Sequence, residues 1–160
     1  MDKLLTGIVL SFAVCVLTQP ASAQDFASDF QSLILLENEF KEVAKDVGAS
    51  LQGKISKTSE AYDCLNSFKA AFELSEIFTH YKFSVAIMNG IKDRADREVG
   101  IEILKVQTEL VQQELQVDRK RINEIVGTCS KFPLVVAKGT EVLTAIKKGE
   151  DVVKSIADKL

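Results

Sequence analysis

Residues 127–133 read GTCSKFP, and the cysteine among them decides how the rest of the chain can fold. The sequence has cysteines at positions 15, 64 and 129. Cys15 lies in the opening stretch MDKLLTGIVLSFAVCVLTQPASAQDF, where Leu4 to Leu17 carries no charge. A run of about 14 apolar residues is too short to cross a bilayer as a helix. Pro20 interrupts the run and Ala21-Ser22-Ala23 supplies the small side chains that a signal peptidase requires, so the sequence predicts a signal peptide over 1–23 and one mature domain over 24–160. Val14 directly before Cys15 does not suit a lipidated cysteine. No later stretch reaches roughly 18 consecutive apolar residues. The expected location is the periplasm, or the outside of the cell.

Leader removal leaves Cys64 and Cys129, and in an oxidising compartment two such cysteines are expected to pair. The absence of a Cys-x-x-Cys pair favours a structural staple over thiol chemistry. A disulfide needs Cα atoms within about 7 Å. Two antiparallel helices meet that requirement only if their turn falls near the midpoint, because each residue of displacement opens the ends by about 3 Å. Midway between the cysteines lies NGIKDRADREVG, residues 89–100. A connection spread over Asn89 to Gly100, with Asp96 capping the helix that follows, satisfies the bond. A tight turn at Asn89-Gly90 does not, unless one helix breaks. Closing a loop of about 65 residues stabilises the fold by roughly 4 kcal/mol on the chain-entropy account.

Working outward from this hairpin, glycine is sparse and Ala, Leu, Glu, Lys and Gln are plentiful, which favours helix. Phe26, Phe30, Leu33, Phe40, Ala44, Val47 and Leu51 follow a helical rhythm broken only by Glu37, which predicts a first helix from about 25 into the late 40s. Gly48, Gly53 and GKISKTS mark a connection, and Thr58 or Ser59 can cap a second helix. That helix carries Ala61, Leu65, Phe68, Ala71, Phe72, Leu74, Phe78, Tyr81, Val85 and Met88, a wide arc expected to be the most buried. The third shows Ile103, Val106 and Leu110 as its apolar stripe, then shifts to Val111, Leu115, Ile122 and Ile125. Pro133 suits the first turn of a fourth helix, where its missing N–H is not needed. Along it Phe132, Val135, Gly139, Val142, Ile146, Gly149, Val153, Ile156 and Leu160 form a seam. Its two glycines fit either a close approach by another helix or a break at Gly149. The fold class expected is all-α, an up-down-up-down four-helix bundle stapled by one disulfide.

Chemistry-bearing patterns are few. A net charge of −3 argues against nucleic acid, which needs a basic face. Arg119-Lys120-Arg121 spreads around a helix instead of lining one side. Glu73, Glu76 and His80 share a helix face and are the weak candidates for a metal or acid–base site, but Ile77 stands where a Glu-x-x-His motif needs its acid. No serine-nucleophile, phosphate-loop, dinucleotide or haem motif occurs. No cofactor and no enzyme activity are expected.

Phe68, Phe72, Phe78, Tyr81 and Phe83 are the candidate ligand or partner contacts, with Phe83 off the main arc and so a candidate for an exposed position. The expectation is a non-enzymatic exported protein that binds another protein as inhibitor, immunity-type neutraliser, adaptor or chaperone. The alternative is a carrier of a small apolar ligand or lipid held between helices.

Overall fold

The computed structural model describes residues 26–53, 59–68 and 74–160. The expected signal peptide, residues 1–23, lies outside the described residues, as do Phe72 and Glu73. All regular structure among the described residues is helical: α1 (Ala27–Gly53), α2 (Glu60–Ser67), α3 (Leu74–Gly90), α4 (Arg94–Thr128) and α5 (Pro133–Ala157).

The helix count differs from the four expected, because the second predicted helix is two. Ser59 caps α2, its hydroxyl accepting the Tyr62 N–H at 3.2 Å. α2 touches α1 and α5, whereas α3 packs between α1 and α4. One straight helix would have to serve both settings, which apolar spacing along the chain cannot reveal.

The hairpin turn is also tighter than expected. α3 runs to Gly90 and α4 starts at Arg94. Asp93, not Asp96, is the cap, and its Oδ1 accepts from the N–H groups of Ala95 at 2.9 Å and Asp96 at 3.2 Å. Arg97 reaches back to the Met88 and Ile91 carbonyls, both at 3.4 Å, giving donors to oxygens at the end of α3 that the helix leaves unpaired. This turn makes the α4 arm about nine residues longer than the arm running back to Cys64, roughly 13 Å of helical rise. The pair forms nonetheless. Cys64 and Cys129 stand at disulfide distance, with Sγ atoms 1.99 Å and Cα atoms 6.1 Å apart. The division of the second helix removes the rigid register that made an early turn incompatible with this pair.

The four long helices surround one core in the cyclic order α1, α3, α4, α5, and polar contacts fix neighbouring directions. The Phe26 N–H donates to Asn89 Oδ1 at 3.1 Å, joining the start of α1 to the end of α3. At the same end, Ser155 and Lys159 from the end of the chain hold Asp29. Toward the other end of α1, Lys138 binds Asp46 at 2.7 Å. Each long helix is therefore antiparallel to both its neighbours. α2 sits at the end where α4 passes into α5, fastened by the cysteine pair and a Glu60–Lys131 ion pair.

The expected first-helix rhythm places Phe26, Leu33, Phe40 and Val47 in the core. Glu37, the apparent interruption, is buried on that same side at 5% exposure. α5 is continuous through both glycines, which decides how its seam is to be read. A Cβ on Gly139 would lie 2.2 Å from Val126 Cγ2, and one on Gly149 would lie 2.9 Å from Phe78 Cζ. The glycines are where neighbouring side chains press onto α5. Phe78 also stacks on Phe40, ring centres 5.4 Å apart.

Candidate binding face

α4 carries two apolar stripes on helical steps of three and four, the second passing over the polar Gln113-Glu114 between Leu110 and Val117. Leu104, Thr108, Val111, Leu115, Asp118 and Ile122 form the buried one. Val99, Ile103, Val106, Leu110 and Val117 form the other, and each keeps 55–62% of its surface exposed. At 100° per residue the stripes point roughly 130° apart. Sequence spacing favoured Ile103, Val106 and Leu110 as the start of the helix's apolar stripe. The structure corrects this: they face away from the core, and the inward positions beside them are Leu104, Thr108 and Val111.

The inward stripe tolerates polar residues where they are partnered. Thr108 donates to the Leu104 carbonyl at 2.6 Å, so its one hydrogen is engaged. Tyr81 must then be the donor in the 2.8 Å contact between the two hydroxyls. Burial, and secondarily the nearby Asp29 carboxylate, push the Tyr81 phenol up to about 12 against a smaller opposing effect of Thr108, so it stays a neutral donor. On α1, Lys41 and Lys82 bind Glu37, and Thr79 donates to it at 3.0 Å. Those bonds hold the Glu37 carboxyl down at about 2, overcoming the opposing effect of burial.

The outward stripe continues onto α3. Phe83 and Ile87 are 61% and 62% exposed. Between the helices run two shallow grooves. One is walled by Ile87 and Ile91 against Val99 and Ile103. The second, of about 310 Å³, is walled by Ile77, His80 and Tyr81 against Leu110 and Glu114. Gln107 lies in both, and its Oε1 is buried with no hydrogen-bond donor among the described residues. Gly100 lets the helices close at the turn, since a Cβ there would fall 2.5 Å from Met88 Sδ.

The other candidates from the sequence fall on either side of this face. Phe68, Phe78 and Tyr81 are core residues, each at most 2% exposed, while Phe83 lies on the surface. His80 and Glu76 are exposed, and among the described residues no cluster of three or more His, Cys, Asp or Glu side chains is placed to hold a metal ion. No described helix is long and apolar enough to cross a membrane.

One signal in the sequence could have separated the two stripes. Thr108, Leu115, Ile122 and Cys129 recur every seven residues, so the cysteine continues the inward stripe and marks which face turns to the core. The outward positions Ile103, Leu110 and Val117 reach Glu124 at the same step. Compared with known proteins, the chain matches no family model, no curated protein and no solved structure.

Proposed function

We propose that this protein is an exported, non-enzymatic helical domain that binds another protein through the outward face of α3 and α4. In this reading the leader is removed after Ala23, and the mature domain is a four-helix up-down-up-down bundle to which α2 adds a short stapled segment. An inhibitor, immunity-type neutraliser, adaptor or chaperone would all use such a face. The observation that carries the reading is the row of five exposed apolar side chains on α4, extended by Phe83 and Ile87 of α3. Scattered surface apolar residues are ordinary, but a row at helical spacing is the pattern another helix packs against.

The carrier alternative draws less support. Two of the rings expected to line a ligand space are packed instead, Phe68 against Gly139 and Phe78 against Phe40 and Gly149, which leaves such a ligand the open groove beside Tyr81.

Site-specific photo-crosslinking in the source cells tests the proposal. A photoreactive residue at Val106 should give a discrete protein adduct, and the same residue at Lys45, exposed on α1, should not. No adduct from Val106, together with native mass spectra showing stoichiometric lipid, would transfer the case to the carrier.

A further inference from the structure

If the outward face binds protein, its rim says what kind of protein. Along the α4 stripe the bordering charges are acidic: Asp96, Glu102, Glu109 and Glu114, with Glu76 across the groove on α3. The cations within that span are engaged. Arg97 is turned onto the α3 carbonyls, and Lys105 lies 2.7 Å from Glu102. Arg119, past the stripe, pairs with Glu150 on α5 at 3.0 Å. Asp96, Glu109, Glu114 and Glu76 have no cationic partner among the described residues. The face is thus an apolar seam about 27 Å long, five turns of helix, between unneutralised carboxylates.

A second copy of this chain fits poorly. Laid antiparallel about residue 108, two α4 seams would bring the Glu109 side chains of both copies together on one flank and set Ile103 level with Gln113. Laid parallel, they would bring Glu109 near Glu114. Either arrangement sets like charges beside one another, which is destabilising at helix flanks. An anionic membrane surface is disfavoured for the same reason.

We infer that this face receives an amphipathic α-helix from another protein, with apolar residues in the same steps of three and four and with lysine or arginine on both flanks. The inference rests on the protein-binding reading above and goes beyond it by specifying the partner. The apolar seam supplies contact area. The carboxylates select the partner's charge and speed its approach.

The test uses three fluorescently labelled synthetic helices of about 21 residues, titrated against the purified protein by anisotropy. One carries Leu and Ile along the seam with Lys on the flanks, the second has Glu on the flanks, and the third scrambles the first. The Lys-flanked helix should bind roughly tenfold or more tightly than the Glu-flanked one at low ionic strength, an advantage that shrinks as salt shortens the screening length. The double substitution Glu109→Gln with Glu114→Gln should narrow the gap several-fold. Ile103→Glu should abolish binding with the circular dichroism and denaturation midpoint unchanged.

Equal binding of Lys- and Glu-flanked helices would overturn the basic partner and leave the apolar face intact. Equal binding of the scrambled helix would reduce the effect to bulk charge and overturn the proposal. A dimer in sedimentation that Ile103→Glu dissociates would assign the face to a second copy instead. If no helix binds but Val106 still crosslinks to a protein, this inference falls alone; if the crosslink fails too, the protein-binding reading falls with it.

Discussion

Leu110 and Leu115 stand on one helix, little more than a turn apart, in opposite surroundings. Leu115 is fully buried against α5, where it lies beneath Gly149, and Leu110 is 55% exposed on the far side. Each belongs to a row with the same helical spacing, so α4 taken by itself would fit into a bundle either way round. Apolar periodicity identifies faces; only the rest of the fold decides which face is covered. A helix with one apolar face has one way to be buried, whereas α4 has a second face left over for something outside the molecule.

Identical truncations of the two leucines give the largest expected contrast. Leu115→Ala removes a buried side chain beside a glycine that cannot fill the space, and should cost about 2–5 kcal/mol. Leu110→Ala deletes surface already in water, and should stay within about 0.5 kcal/mol of the parent. Urea denaturation of both variants checks this. Comparable losses would mean that Leu110 is covered in solution and that the two faces of α4 are not distinct.

The cysteine pair is the next lever, because Cys129 continues the Leu115 row. Reduction, or Cys64→Ser with Cys129→Ser, should lower stability by about 2–4 kcal/mol on the loop-closure account. Amide exchange should accelerate most in α2 and in the last turns of α4, the elements that the pair joins. Uniform acceleration along α4 would show that the staple stabilises the domain as a whole without selecting the inward face.

These expectations also mark how far the sequence could be read. The all-helical class, the α1 core rhythm and the start of α5 at Pro133 follow from local chemistry, and the pairing of Cys64 with Cys129 from their being the two cysteines after the expected leader. Spacing, small loops and a proline's missing N–H act over a few residues, and the chain displays them directly. The division of the second helix, the turn at Asp93 and the inward choice on α4 depend on which helices end up adjacent. Phe83 and Ile87 show the boundary: the offset of Phe83 from the main arc predicts exposure, yet the groove that Ile87 lines is completed by Val99 and Ile103 of α4, beyond the reach of any local pattern. The acidic rim was visible as charge but had no meaning until the seam it borders was known to face outward.

Polar residues in the inward rows sharpen the comparison further. Thr108→Val keeps the shape of the side chain but leaves the Tyr81 hydroxyl buried without its acceptor. It should cost about 1–3 kcal/mol. Adding Tyr81→Phe should recover part of that loss, because both polar partners are then gone. Two independent, additive losses would show that the hydroxyl pair is not the reason a threonine is tolerated at an inward position.

Glu37 makes the same point with a full charge, and pH is its probe. Its carboxyl titrates from 4.5 in the unfolded chain to about 2 in the fold, lowered first by Lys41 and then by Lys82 and Thr79. A depressed carboxylate contributes stability that is complete above the unfolded value and is lost as pH falls from about 4.5 toward 2. Because Lys41 is largely in water, screening reduces the contribution to about 1–2 kcal/mol. Denaturation midpoints measured from pH 6 down to 3 should therefore fall in the parent. Asp46 is also lowered, by Lys138, and adds to the parent's slope, so the informative quantity is the difference from Glu37→Gln. That variant should be less stable at pH 6, and the gap should close as the parent's carboxylate takes up its proton. A gap that stays constant with pH would mean that Glu37 is held by shape and neutral hydrogen bonds instead. The inward rows would then be rows of buried volume, with charge pairing no part of what admits a glutamate to them.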